Sequence, residues 1–221
     1  MTRFDLCMFD LDGTLLDTRD DLAASINVVR AKFDLPPATV AEVLRWVGDG
    51  APVLVARALG NPEEDPLGNE RTAAGHALFR EHYTEHMLDQ ARPYPGVPET
   101  LVTLREAGST LVVASNKPVA MCRDMLDRLD LGHHFAEVSG GDSLPVRKPD
   151  PAPILALLET HGVPRERAVM IGDGTQDIQA GRAAGVTTVA ALYGFRNREE
   201  LTPEKPDHWI ESFSELIDLI S

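Results

Sequence analysis

Cysteine is scarce in this chain, which holds only Cys7 and Cys122. Two thiols do not make a disulfide framework, and they fit a reducing compartment. Cys7 lies inside an apolar run, where a thiol reads as buried and inert. Long apolar stretches are missing as well. No run approaches the ~18 residues of a membrane span. The N-terminus shows no basic stretch leading into a long apolar segment. Neither a membrane nor a secretory route is therefore expected, and the expected location is cytoplasmic. Cations are in short supply, with 21 Lys and Arg against 35 Asp and Glu and a formal charge of −14. That balance excludes nucleic acid as the main partner, because a phosphate backbone needs a basic face. It also means that any anionic ligand must be met by cations gathered at one place, or by a metal.

What is present is an ordinary globular composition. With 221 residues, the chain suits one large domain or a core with a smaller insert. Short apolar segments recur at 4–9, 110–114, 168–171 and 187–192, with a weaker one at 135–139. None alternates cleanly between polar and apolar, and continuous runs of this length suit strands buried on both faces. Helix-like stretches lie between them at 98–107, 119–129, 152–161 and 177–184. Gly108, Gly162 and Gly185 stand where such helices commonly stop. This alternation predicts an α/β fold with a doubly wound, mostly parallel sheet.

Residues 17–90 read differently, as helices only: 20–32, 40–46, 52–59 and 70–87, broken by a loop at 60–68. The expected organisation is a catalytic core of 1–16 and 91–221, with a helical cap domain of 17–90 inserted after the first strand. Arg92-Pro93-Tyr94-Pro95-Gly96 is the expected hinge.

The chemistry gathers at strand ends. The first strand runs into Asp10-Leu11-Asp12-Gly13-Thr14. Taken alone, such a pair of carboxylates reads as a turn and a helix cap. The second strand runs into Ser115-Asn116-Lys117, a hydroxyl and an amide suited to phosphate oxygens but also common in turns. Lys148 precedes Pro149 after a Gly140-Gly141-Asp142 loop, and a residue before proline is biased out of the helix. A third strand runs into Gly172-Asp173-Gly174-Thr175-Gln176-Asp177. Four polar clusters at one sheet edge, the edge where open α/β sheets bind ligands, argue for one site. Phosphoryl transfer fits it. A carboxylate can attack phosphorus, and a divalent cation with a lysine would offset the charge repulsion of roughly 4 kcal/mol per unit pair at 4 Å. Asp10 and Asp173 offer the hard oxygen ligands that Mg²⁺ prefers. Lys148 is a fixed charge for the phosphate, and Asp12 can protonate a leaving oxygen and then activate water.

These residues, in order, resemble the four motifs of the haloacid dehalogenase superfamily. Within it the chain looks like the phosphoglycolate phosphatase group, through Trp46-Val47-Gly48-Asp49-Gly50, Tyr94-Pro95-Gly96-Val97 and Ser115-Asn116-Lys117-Pro118. The resemblance implies a Rossmann-like core and a Mg²⁺-dependent phosphatase acting through an aspartyl-phosphate. It implies Asp10 as nucleophile and metal ligand, and Asp12 as acid/base that offers its backbone carbonyl to the metal. Ser115, Asn116 and Lys148 are implied to bind phosphate, Asp173 to complete the metal site, Thr14 to support the site, and Asp177 to support the lysine or the metal-bound water. Relatives often carry Ser where Gly174 stands, which loosens one hydrogen bond near the metal and removes no ligand. The implied partner is a small-molecule phosphomonoester, and the implied assembly a monomer or homodimer. For a small anionic substrate, the cap is expected to offer the backbone of Gly48 and Gly50 and the charge of Arg45 or Arg57. Alternatives are a phosphosugar mutase or pyrophosphatase of the same superfamily, and a non-catalytic phospho-receiver. His82-Tyr83-Thr84-Glu85-His86 matches a zinc-peptidase pattern, read here as a chance match on an exposed helix.

Overall fold

The structure, a computed structural model, describes residues 4–220. Elements follow in chain order. First come β1 (Leu6–Phe9), β2 (Leu16–Asp17), α1 (Arg19–Lys32), α2 (Val40–Trp46), α3 (Ala51–Leu59), α4 (Glu70–His86) and β3 (Arg92–Pro93). Next are α5 (Val97–Glu106), β4 (Thr110–Ala114), α6 (Val119–Arg128), β5 (Glu137–Ser139), α7 (Ala152–His161), β6 (Ala168–Gly172) and α8 (Thr175–Ala184). The chain then forms β7 (Thr187–Ala191), α9 (Arg198–Leu201), β8 (His208–Ile210) and α10 (Leu216–Ile220). It divides into two compact units, Met1–Asp17 with Pro93–Ser221 and, separately, Thr18–Arg92.

The first unit is built on a six-stranded sheet in the order β5-β4-β1-β6-β7-β8. Every neighbouring pair is parallel, so the sheet is parallel throughout. The strands are apolar because both faces are covered. On one face Leu6, Met8, Val112, Ala168 and Met170 meet Ile154 and Leu157 of α7 and Ala180 and Ala184 of α8. Phe9 packs against Phe213 and Phe135, with ring centroids 5.7 and 6.3 Å away. Gly162 and Gly185 take the left-handed conformation that ends α7 and α8. The strand β8 was not expected, since three residues flanked by charged ones are too short for an apolar run to register. Cys7 and Cys122 are free and buried, and burial pushes both thiols up to about 12. No helix among the described residues is long and apolar enough to cross a membrane.

The second unit is built on the helices α1 to α4. The buried carboxylate of Asp21 on α1 accepts hydrogen bonds from the backbone N–H groups of Gln90 and Ala91, at 2.9–3.1 Å. Gly75 on α4 lets α3 approach, because a Cβ there would lie 3.0 Å from Leu59 and Val55. Arg57 of α3 is gripped by Asp49 at 2.7 Å and Glu63 at 2.9 Å and donates to the Trp46 carbonyl at 3.0 Å. The expectation that Arg57 offers its charge to a substrate is therefore corrected: two carboxylates already neutralise it. The histidines of α4 are likewise used locally. His82 Nδ1 bonds the Ser25 hydroxyl at 2.9 Å, His86 Nδ1 bonds Asp89 at 2.8 Å, and the two rings stack 4.3 Å apart.

The layered core makes a direct stability prediction. Leu157 is 1% exposed within the α7 contact, whereas Leu155 on the same helix is 39% exposed. Leu157→Ala should cost about 2–5 kcal/mol in urea unfolding, and Leu155→Ala within about 0.5 kcal/mol. Equal losses would show that α7 is not packed by that face.

Candidate active site

All strands of the sheet are parallel, so their C-terminal ends lie along one edge, and the chain reverses direction across the sheet at β1. To one side of β1 lie β4 and β5, to the other β6 and β7. Such a switch point opens a crevice just beyond the strand ends. Asp10 is the first residue after β1, Ser115 the first after β4, and Asp173 the first after β6. Their backbones remain tied to the sheet: Asp10 N donates to Ile171 O and Ser115 N to Ser139 O, both at 2.9 Å. The side chains therefore start from rigid positions.

After Asp10 the chain turns sharply. Leu15 N and Leu16 N both donate to Leu11 O, and Gly13 N donates to Leu16 O. Gly13 has φ +86°, and a Cβ on it would fall 2.2 Å from Asp173 Oδ2. Only glycine meets both conditions. Thr14, fully buried, donates its hydroxyl to Asp173 Oδ1 at 3.0 Å. Phe195 N donates to Asp173 Oδ2 at 2.7 Å.

Lys148 reaches the same pocket from the loop after β5. Its Nζ is 2.5 Å from Asp177 Oδ1 and 3.1 Å from Asp10 Oδ1, and the residue is 2% exposed. Asp177 is held from its other oxygen by Gly174 N at 2.9 Å. The contact from Lys148 to Asp10 is an ion pair. Asp10 Oδ1 is buried and faces the Lys148 ammonium. Burial works against the charge on Lys148, yet the neighbouring Asp10 and Asp177 overcome it and hold its pKa above the usual lysine value.

Asp10, Asp173 and Asp177 present oxygens within 4.8 Å of one another, the one such group among the described residues that fits a metal ion. Three carboxylates face one ammonium, so the pocket carries excess negative charge. Burial pushes Asp173 up to about 8, and the charges of Asp10 and Asp177 add to it, while Phe195 N and Thr14 only partly offset them. A pocket that sets three carboxylates around one ammonium, and drives one of those carboxylates toward protonation, is short of positive charge. Its all-oxygen donor set is the kind that hard divalent cations take.

Asp12 stands apart from this cluster. Its carboxylate is paired with Lys117 Nζ at 2.7 Å, and both side chains are largely buried. Sequence reading missed Lys117 as a functional residue, although its adjacency to Ser115 and Asn116 was a usable signal. Ser115 Oγ accepts a bond from Lys117 N at 3.3 Å, which leaves the hydroxyl proton available. The Asn116 amide donates to the Lys148 carbonyl at 2.8 Å, so it ties two loops together.

Comparison with known proteins gives the family. Residues 7–191 match the family model of haloacid dehalogenase-like hydrolases. The chain is 41% identical over 214 residues to phosphoglycolate phosphatase 1 of Pseudomonas aeruginosa, covering 96% of this chain and 78% of that protein. It is 38% identical over 222 residues to a phosphoglycolate phosphatase of Mannheimia succiniciproducens, covering 99% of each. The crystal structure of a predicted phosphoglycolate phosphatase from Haemophilus somnus superposes with a TM-score of 0.91 at 34% identity, over 99% of both chains. With a matching family model over most of its length and full-length relatives, this chain belongs to the haloacid dehalogenase-like hydrolases.

Proposed function

We propose that the chain is a Mg²⁺-dependent phosphatase that hydrolyses a small anionic phosphomonoester, 2-phosphoglycolate first, with Asp10 as nucleophile. The observation that carries this reading is Asp10 itself. Its carboxylate is anchored at the centre of the sheet edge, 3.1 Å from a buried lysine and within 4.8 Å of the carboxylate oxygens of Asp173 and Asp177. The substrate is taken from the relatives, both of which are named for phosphoglycolate.

In this mechanism one Asp10 oxygen attacks phosphorus. An O–P bond forms to the carboxylate as the bond to the leaving oxygen breaks, and Asp12 gives that oxygen its proton. Asp12 then takes a proton from water, which attacks the aspartyl-phosphate, restoring Asp10 and releasing phosphate. Lys148 holds its charge beside the phosphoryl oxygens, and Ser115 donates its hydroxyl to one of them. Asn116 holds the Lys148 loop, and Asp177 orients the lysine. Asp10 and Asp173, with the Asp12 backbone carbonyl, would hold the Mg²⁺ and Thr14 would steady Asp173. When bound, the cation supplies the positive charge that lets a carboxylate approach a phosphate dianion. The helical unit takes the substrate-selecting role of a cap. The cytoplasm, where thiols stay reduced, suits an enzyme with two buried cysteines and no disulfide.

Phosphate release from 2-phosphoglycolate should therefore require Mg²⁺ and fall roughly a thousandfold or more in Asp10→Asn. Undiminished turnover by that variant would sink the mechanism, and phosphate returned to a second hydroxyl in place of water would identify a mutase.

The Lys117–Asp12 pair yields a sharper test. An alkyl leaving group needs the proton from Asp12, whereas p-nitrophenolate leaves without it. Lys117→Met should thus lower kcat/KM, which reports leaving-group departure, by about 10²-fold for 2-phosphoglycolate while sparing kcat/KM for p-nitrophenyl phosphate, and Lys117→Arg should recover part of the loss. Equal losses on both substrates would remove Lys117 from this role.

Asp173 sets a pH dependence. Its unfolded carboxyl ionises near 3.8, but the folded one waits until about 8 without a cation. Between those values the folded state binds more protons than the unfolded state, so metal-free stability falls as pH rises. Within that window the proton on Asp173 also competes with the cation. Saturating Mg²⁺ should raise the melting temperature several degrees more at pH 8 than at pH 5, at roughly 2–4 °C per kcal/mol for a chain of this size. Asp173→Asn should abolish that difference, and pH-independent shifts would contradict the assignment.

A further inference from the structure

Beyond the motif residues, three consecutive positions after β7 converge on the cation pocket. Phe195 contributes only its backbone N–H, 2.7 Å from Asp173 Oδ2. Tyr193 donates its hydroxyl to Thr14 O at 3.0 Å, and the same Thr14 holds Asp173 Oδ1 through its own hydroxyl. Gly194 lies between them, so close that a Cβ on it would stand 2.3 Å from the Asp173 Cβ and 2.5 Å from Gly13 O. The Tyr193 ring is braced on Tyr94 with centroids 4.8 Å apart, and Tyr94 N is bonded to Leu15 O at 3.0 Å.

We propose that the segment Tyr193-Gly194-Phe195 is a positioning clip that fixes Asp173 and the Gly13-Thr14 turn together, and so sets how tightly the pocket holds a divalent cation. The inference rests on the cation site assigned under the proposed function. Its logic is geometric. A monodentate carboxylate ligand has two torsions to lose, and here both of its oxygens are pinned by groups that belong to, or are tied to, one short segment. Groups that orient a metal ligand in this way contribute about 10–100-fold in affinity. The clip contributes no ligand of its own and touches no reacting atom.

The test is a calorimetric titration of Mg²⁺ into the full-length, substrate-free protein. Phe195→Ala keeps the N–H and should bind within about threefold of wild type, whereas Phe195→Pro deletes the donor and should bind about 10–100-fold more weakly. Tyr193→Phe removes one hydroxyl and should weaken binding by about three- to tenfold. Asp173→Asn is the reference for loss of the site. Wild-type affinity in both Phe195→Pro and Tyr193→Phe, with Asp173→Asn impaired, overturns the clip and leaves the site standing. If Asp173→Asn binds as wild type, the site assignment falls and the clip with it. Should Phe195→Pro fail to fold by circular dichroism, Tyr193→Phe decides alone: weakened binding supports the clip and unchanged binding overturns it.

Discussion

Three carboxylates crowd one buried ammonium, and much of the first unit is arranged to keep them from moving apart. Like charges in a dry pocket repel strongly, and left on flexible loops they would turn out to water. The parallel sheet prevents that. Asp10 and Asp173 issue from neighbouring strands β1 and β6, whose backbone hydrogen bonds continue to Asp10 itself. Lys148, brought in by a separate loop and gripped at 2.5 Å by Asp177, is the counterweight. The charge that remains uncompensated is what makes the pocket receptive to a cation.

The helical unit handles charge in the opposite way. There several ionic groups are satisfied close to home: Asp21 by two backbone donors, Arg57 by two carboxylates and a carbonyl, His86 by Asp89. A satisfied group is a structural fastener, since moving it would strand a partner. The same residue types thus serve as brackets in one unit and as a charge-unbalanced cluster in the other, and the difference lies in whether the count of charges closes.

Much of this was readable from the sequence because it depends on patterns that sequence preserves. Apolar runs marked β1, β4, β6 and β7, and the residues just past them marked the edge where Asp10, Ser115 and Asp173 meet. The resemblance to a known superfamily added the link to Lys148, which no periodicity supplies. What escaped was short or used the backbone. The strand β8 has only three residues. The Phe195 contact is made by a peptide N–H, for which the side chain gives no sign. Lys117 looked like a turn residue until its reach to Asp12, 105 positions earlier, could be measured. The helical histidine motif, read as a chance match, is used locally: spacing puts both rings on one face, and Nδ1 of each has another partner.

The place of β1 has a consequence for how the molecule comes into being. Leu6 pairs with Thr110 on one side and Ala168 on the other, so the middle strand of the sheet is the first made and among the last matched. Long loops must close before those pairings return any free energy, and contacts this distant along the chain slow folding. The helices of Thr18–Arg92 make their contacts among themselves, and need not wait. The acidic pocket, built from the ends of β1 and β6, therefore comes into existence only after the ribosome has delivered most of the chain, and a truncated product would carry the helices without the chemistry.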